Sequence, residues 1–189
     1  MGKNEFYTHH QTRRSQSPWS LKERVGILAW RLSWLILCSW TPKPLNFLRL
    51  ALLRAFGASV SGKPFVHSKA IIQIPWNISL EDKSCVGERA VLYSLGKIEL
   101  KQRCTVAQEV YLCTGSHDFD SPILPLMTSP IVIGEDAFVL ARAFIMPGVS
   151  IGSNSLVGAC SVVTKDVAEN TVVAGNPARE IGKRKVLSN

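Results

Sequence analysis

From Ile133 to Val167 the chain repeats every six residues. Large apolar residues stand at Ile133, Val139, Ile145, Ile151, Val157 and Val163, with Ala137, Ala143, Val149, Ser155, Ser161 and Val167 four places after each. A period of six fits neither an amphipathic helix nor an alternating strand, but it fits a parallel β-helix in which each hexapeptide is one flat side of a coil. Gly134, Gly152 and Gly158 follow directly on the large apolar residue, as such coils allow. The same beat runs backwards through Leu100, Val106 and Leu112, then Leu80, Val86 and Leu92, then Val60, Val66 and Ile72. The register slips by two residues at Ile78/Leu80 and at Ile98/Leu100. Three hexapeptides per turn predict about five coils.

Between Leu112 and Ile133 the spacing is not a multiple of six, and residues 116–130 carry Pro122, Pro125 and Pro130. This segment is predicted to leave the coil as an extruded loop, with His117 at its root, and loops on a rigid scaffold are where sites are usually built. Ahead of the repeat, the apolar run 25–40 carries Arg31 and is shorter than the roughly 20 apolar residues a spanning helix needs. It predicts helices over about 20–40 and 45–56, separated by Pro42 and Pro44 and ended by Gly57. Trp30, Trp34 and Trp40 in the first helix suit either a lipid interface or packing against the end of the β-helix or a neighbouring subunit. The predicted organisation is a basic arm and helical segment at 1–57, a β-helix at 58–176 and a tail at 177–189.

Charge sharpens this division. Residues 1–60 hold nine Lys/Arg against two Asp/Glu, whereas residues 61–189 hold thirteen against twelve, so seven of the net +8 charges belong to the N-terminus. A basic segment beside an apolar stretch suits an anionic membrane surface or a solvated arm. It does not suit nucleic acid, because the repeat domain offers no broad basic groove. Five cysteines without a CxxC pair read as buried free thiols, Cys104 and Cys160 within the lattice, in a reducing, cytoplasmic compartment. No secretory cleavage site follows the apolar run.

The stretch PIVIGEDAFVLARAFIMPGVSIGSNSLVGACSVVTKDVAENTVVAGNPAREI resembles the C-terminal signature of the hexapeptide-repeat acyltransferases. LLRAFGASV, PWNISLED, VLYSLGKIEL and YLCTGSHDFDSP resemble its colanic acid biosynthesis acetyltransferase branch. The resemblance implies an all-β, left-handed parallel β-helix, acetyl-CoA as cosubstrate without a metal, a sugar or glycan acceptor of surface polysaccharide, and a homotrimer with its sites between subunits. It places the general base at His117, in the TGSH element. An alcohol is a poor nucleophile near neutral pH, and a positioned imidazole that takes its proton contributes roughly 10²–10⁴-fold. Asp118 and Asp120 are candidates to orient the ring. The resemblance also implies that the backbone at Ala141 touches the thioester arm of CoA, that Ala159 lines the pantetheine channel, and that Thr164, Lys165 and Arg179 approach the nucleotide end. Phe138 and Leu140 depart from the family's Trp-x-Gly-[Ala/Ser] element there.

Rival readings remain on the same scaffold: acetylation of an amino sugar or small hydroxylated molecule, or an inactive β-helix. A three-imidazole zinc site is disfavoured, because the repeat domain has only His67 and His117. A serine acetyltransferase would carry a larger helical N-terminal domain.

Overall fold

The computed structural model describes residues 6–185. The first five residues of the basic arm and the last four of the tail lie outside the described residues. Three parallel sheets form the walls of a prism. The first wall stacks Val60, Leu80, Leu100, Ile133 and Ile151. The second stacks Val66, Val86, Val106, Val139, Val157 and Val173. The third stacks Ile72, Leu92, Leu112, Ile145 and Val163. The inward positions named from the hexapeptide beat therefore fall in register, giving five coils and the start of a sixth, in which Val167 bridges to Ile151.

Successive coils stack about 4.8 Å apart, so one aliphatic side chain per wall fills the interior at each level. The small residues four places later are also buried, Ala137, Ala143 and Ser155 completely. The corner is turned by the residue three after the inward aliphatic: Asp136, Arg142, Asn154 and Cys160 all have φ between 54° and 61°. The glycines that follow the inward residue answer a different need. A Cβ on Gly134 would stand 2.6 Å from Ser153 N, and one on Gly152 2.5 Å from Glu169 N. Side chains there would collide with the next coil's backbone.

Two helices close the N-terminal end of the prism. Helix α1, Leu21–Leu37, starts in a capping box in which the Ser20 hydroxyl accepts from Glu23 N and the Glu23 carboxylate accepts from Ser20 N. Helix α2 spans Asn46–Ala55, and Gly57 beyond it takes φ 87°, as a C-terminal glycine stop does. Leu50, Leu53 and Trp30 seal the open core, and the Trp30 indole donates to Ile72 O at 2.7 Å. Of the three tryptophans, Trp30 is buried and Trp34 packs on the core, as expected for packing against the end of the β-helix, whereas Trp40 is exposed. Buried Arg49 binds Thr41 Oγ1 at 2.6 Å and the carbonyls of Thr41, Pro42 and Lys43, locking the connection between the helices. At the opposite end Ala178–Lys183 folds back antiparallel on Thr171–Gly175.

Three expectations need correction. Cys38 and Cys104 are buried as expected, but Cys85 and Cys113 are half-buried, because they neighbour the inward Val86 and Leu112 on their strands, and Cys160 is exposed, because it is a corner residue with its side chain outside. Residues 116–130 are not wholly an irregular loop. Gly115–His117 and Leu126–Thr128 form an antiparallel hairpin, and the chain departs from the coil as early as Thr114. The arm is not simply solvated, since Tyr7–Thr8 adds a third strand to that hairpin and His9 N donates to Leu126 O at 2.8 Å.

Candidate active site

The hairpin between the third and fourth coils presents His117, whose side chain is exposed. Its Nδ1 lies 2.8 Å from the carbonyl oxygen of Leu124. A carbonyl only accepts, so Nδ1 donates, and in the neutral ring the lone pair then falls on Nε2, the tautomer a general base requires. Leu124 turns its carbonyl toward the ring from a left-handed conformation, φ 47°, its own N–H donating to Ser121 O at 3.0 Å. An aliphatic residue held there stores strain, as is common around functional groups. The Asp118 carboxylate is engaged locally instead, its Oδ1 accepting from Asp120 N at 3.1 Å. Neither carboxylate is the ring's hydrogen-bond partner. The orienting group was invisible in the sequence because it is a backbone carbonyl, which any residue supplies.

Ala141 and Ala159 occupy equivalent corners of the fourth and fifth coils, two residues past the paired Val139 and Val157. Ala141 O accepts from Cys160 N at 3.0 Å, tying the two corners together. Among the described residues neither the Ala141 nor the Ala159 amide N–H has a protein acceptor. Amides without a protein acceptor suit a carbonyl or thioester oxygen. Phe138 and Leu140 flank the corner, both half-buried.

Lys165 and Arg179 line one cleft of about 310 Å³ at the fifth coil and the tail hairpin, together with Thr171, Ala178 and Val173. Two carboxylates lie on the same cleft, but Asp166 accepts from Ser150 N at 2.8 Å and Glu180 pairs with Lys183 at 2.8 Å. Among the described residues neither Lys165 nor Arg179 forms an ion pair. Two cations without a carboxylate partner, Arg179 donating only to Ala178 O at 2.9 Å, suit phosphate groups. Thr164 lies exposed just outside this cleft, and His117 is not part of it. Neither Ala141, Ala159 nor His117 lines this cleft, so the structure brings Lys165 and Arg179 together and leaves the corner and the hairpin as separate parts of the chain.

A second cavity, of about 390 Å³, opens at the base of that hairpin. Tyr7, Trp19 and Trp76 give it aromatic walls, and Glu23, Asn77 and Lys97 give it polar groups. His9 also lines it, packed edge-on against Tyr7 and Trp19 at 4.9 and 5.2 Å between ring centroids. Burial pushes the His9 imidazole below its ordinary pKa, with Glu23 opposing. Leu126 pairs with His117 and Thr128 with Gly115, so His117 shares the hairpin face that carries Thr128 into this cavity. Sequence reasoning missed the cavity because its walls come from five separate segments of the chain.

Stacked hexapeptide coils, interrupted by one hairpin and closed by two helices, define a parallel β-helix scaffold. Comparison with known proteins agrees. The family described as bacterial transferase hexapeptide (six repeats) matches residues 130–165. The putative colanic acid biosynthesis acetyltransferase WcaF of Escherichia coli K12 is 40% identical over 146 residues, 77% of this chain and 80% of that protein. A hexapeptide-repeat acetyltransferase of Vibrio cholerae, solved with acetyl coenzyme A, superposes with a TM-score of 0.77 at 24% identity, covering 87% of this chain and 88% of that one. A maltose O-acetyltransferase of Clostridium difficile 630 gives 0.74 at 23% identity, covering 88% and 90%. The two structural likenesses establish the fold. The chain belongs to the hexapeptide-repeat acetyltransferase family.

Proposed function

We propose that this protein transfers the acetyl group of acetyl-CoA to a hydroxyl of a sugar or glycan intermediate in surface polysaccharide biosynthesis, of the colanic acid type. The observation that carries the reading is the bond between His117 Nδ1 and Leu124 O. Nε2 takes the proton of the acceptor hydroxyl as its oxygen attacks the thioester carbon. The negative charge that develops on the thioester oxygen is met by a corner amide, Ala141 N–H being the candidate. When the tetrahedral intermediate collapses, the carbon–sulfur bond breaks and the proton on Nε2 passes to the departing thiolate of CoA.

Ala159 lines the pantetheine path, and Thr164, Lys165 and Arg179 hold the nucleotide end. The neighbour solved with acetyl coenzyme A supports this choice of donor. The aromatic cavity beside the hairpin is the acceptor pocket in this reading, because indole and phenol faces pack on the C–H faces of a sugar while Glu23, Asn77 and Lys97 offer hydrogen bonds. A homotrimer is part of the proposal, since it would bring the His117 of one subunit to the donor corner of the next.

Calorimetric titration of acetyl-CoA into the wild type and the Lys165→Ala variant tests the donor half. An assay of thiol release with surface-glycan oligosaccharides and nucleotide sugars tests the acceptor half. Saturable binding weakened in the variant, with glycan-dependent release abolished in His117→Ala, is the expected result. A folded protein that binds no acetyl-CoA would overturn it.

A further inference from the structure

Helix α1 buries one face and leaves the opposite one uncovered. Leu21, Val25, Leu28, Leu32 and Leu35 recur at intervals of four and three, with Ile36 beside the last, and all are exposed: Leu28 58%, Leu32 49%, Leu35 62%. At about 100° per residue they form one stripe, diametrically opposite Trp30, which packs into the core. Just past the helix Trp40 is also exposed, its indole N–H held on Ile36 O at 2.7 Å.

Charge on the helix identifies the occupant. By the same helical geometry Lys22 flanks the stripe on one side and Arg24 and Arg31 on the other, all three exposed. The one acidic residue of α1, Glu23, lies on the opposite face, engaged with Ser20. Pairing this stripe with its copy in a second chain would bring these cations toward their own equivalents, with no carboxylate on the stripe's flanks to offset them. An anionic lipid surface supplies both an apolar layer for the leucines and negative charge for the rim. The helix cannot cross that layer. Its 17 residues span about 25 Å, and among the described residues no helix is long and apolar enough to traverse a membrane.

We propose that α1 is a membrane-docking element that lies in the headgroup plane of an anionic bilayer, its leucine stripe inserted and Lys22, Arg24 and Arg31 on lipid phosphates. The proposal stands apart from the acetyl-transfer reading, and vesicle binding can be scored without turnover.

The experiment is co-sedimentation of the full-length protein with phosphatidylglycerol-containing vesicles and with pure phosphatidylcholine vesicles, alongside sedimentation velocity without lipid. Binding to the anionic vesicles should fall as salt rises and be weak on the neutral ones. Leu28→Ser/Leu32→Ser should lower the partition coefficient by about tenfold or more, because two inserted side chains are lost. Arg24→Gln/Arg31→Gln should lower it and flatten its salt dependence, providing a second variant that leaves the apolar face intact. Circular dichroism melts verify that each variant is folded. No binding to anionic vesicles, equal binding to both vesicle types, or unaltered binding by both variants would overturn the proposal. So would a smaller assembly of Leu28→Ser/Leu32→Ser in sedimentation velocity, which would make the stripe a contact with a second copy.

Discussion

The imidazole Nδ1 of His117 and the carbonyl oxygen of Leu124, seven residues apart, stand 2.8 Å from each other across the turn of one hairpin. That bond sets which nitrogen of the ring is free, and it depends on Leu124 holding a positive φ. Leu124→Gly keeps that conformation accessible and should retain acetyl transfer within about threefold. Leu124→Pro fixes φ near −65° and should cost at least about tenfold in kcat with little change in KM for acetyl-CoA. His117→Ala should lose about 10²–10⁴-fold while leaving CoA affinity nearly intact. Steady-state kinetics with calorimetry reads all three, and wild-type turnover in His117→Ala would remove the general-base assignment.

Lys165 and Arg179 should act on binding more than on rate. Either alanine variant should raise KM for acetyl-CoA by about tenfold, roughly 1.4 kcal/mol, with a smaller effect on kcat. An unchanged KM in both would take the cleft out of the donor site.

Cys160 reports on the neighbouring corner. It is exposed and adjacent to Ala159, whereas burial pushes the Cys104 thiol up to about 12. A thiol reagent should label Cys160 in the native protein and spare Cys104 until unfolding. Saturating acetyl-CoA should slow labelling of Cys160 if Ala159 lines the pantetheine path. Equal rates with and without the cosubstrate would contradict that placement.

Gly152→Ala probes the coil spacing. The added methyl would meet the backbone at Glu169 N, so the coils must separate locally, at a cost of about 1–3 kcal/mol and a lower Tm. A melting temperature equal to wild type would show that the stack yields more easily than its geometry implies.

Acid should loosen the arm. Burial lowers the folded-state pKa of His9 from its ordinary 6.5, so as pH falls the unfolded chain takes up the proton first. Its contribution is therefore intact above that value and declines as pH drops through it toward the folded pKa. His67, also lowered chiefly by burial, acts in the same direction. Thermal melts at pH 7.5 and 5.5 should show a smaller acid-side loss in His9→Gln than in wild type. An identical loss in the two proteins would mean that His9 does not contribute.

The coils were legible because each level of the prism admits one aliphatic side chain per wall. The demand recurs every six residues, and a slip of one would turn the apolar set outward. Gly134 and Gly152 are marked in the sequence by their place directly after the inward aliphatic, and the need for glycine there is the close contact between coils. His117 was legible through its resemblance to a family element and its position where the beat fails. Cys160 misled because it shares the lattice with Cys104 but not its place in the repeat: Cys104 stands four residues after Leu100, at a buried small position, whereas Cys160 stands three after Val157, at a corner whose side chain faces out.

By itself the sequence determined the coil count, the inward residues, the two terminal helices and the insertion, since all of these are local periodicities or interruptions of them. Only the tertiary structure decided that Tyr7–Thr8 joins the His117 hairpin, that Leu124 rather than Asp118 or Asp120 orients the imidazole, and that Trp19 and Trp76 meet in one cavity. Those relationships rest on backbone carbonyls, strand pairing and long-range packing, which many sequences satisfy equally well and which therefore leave no periodic trace in the chain.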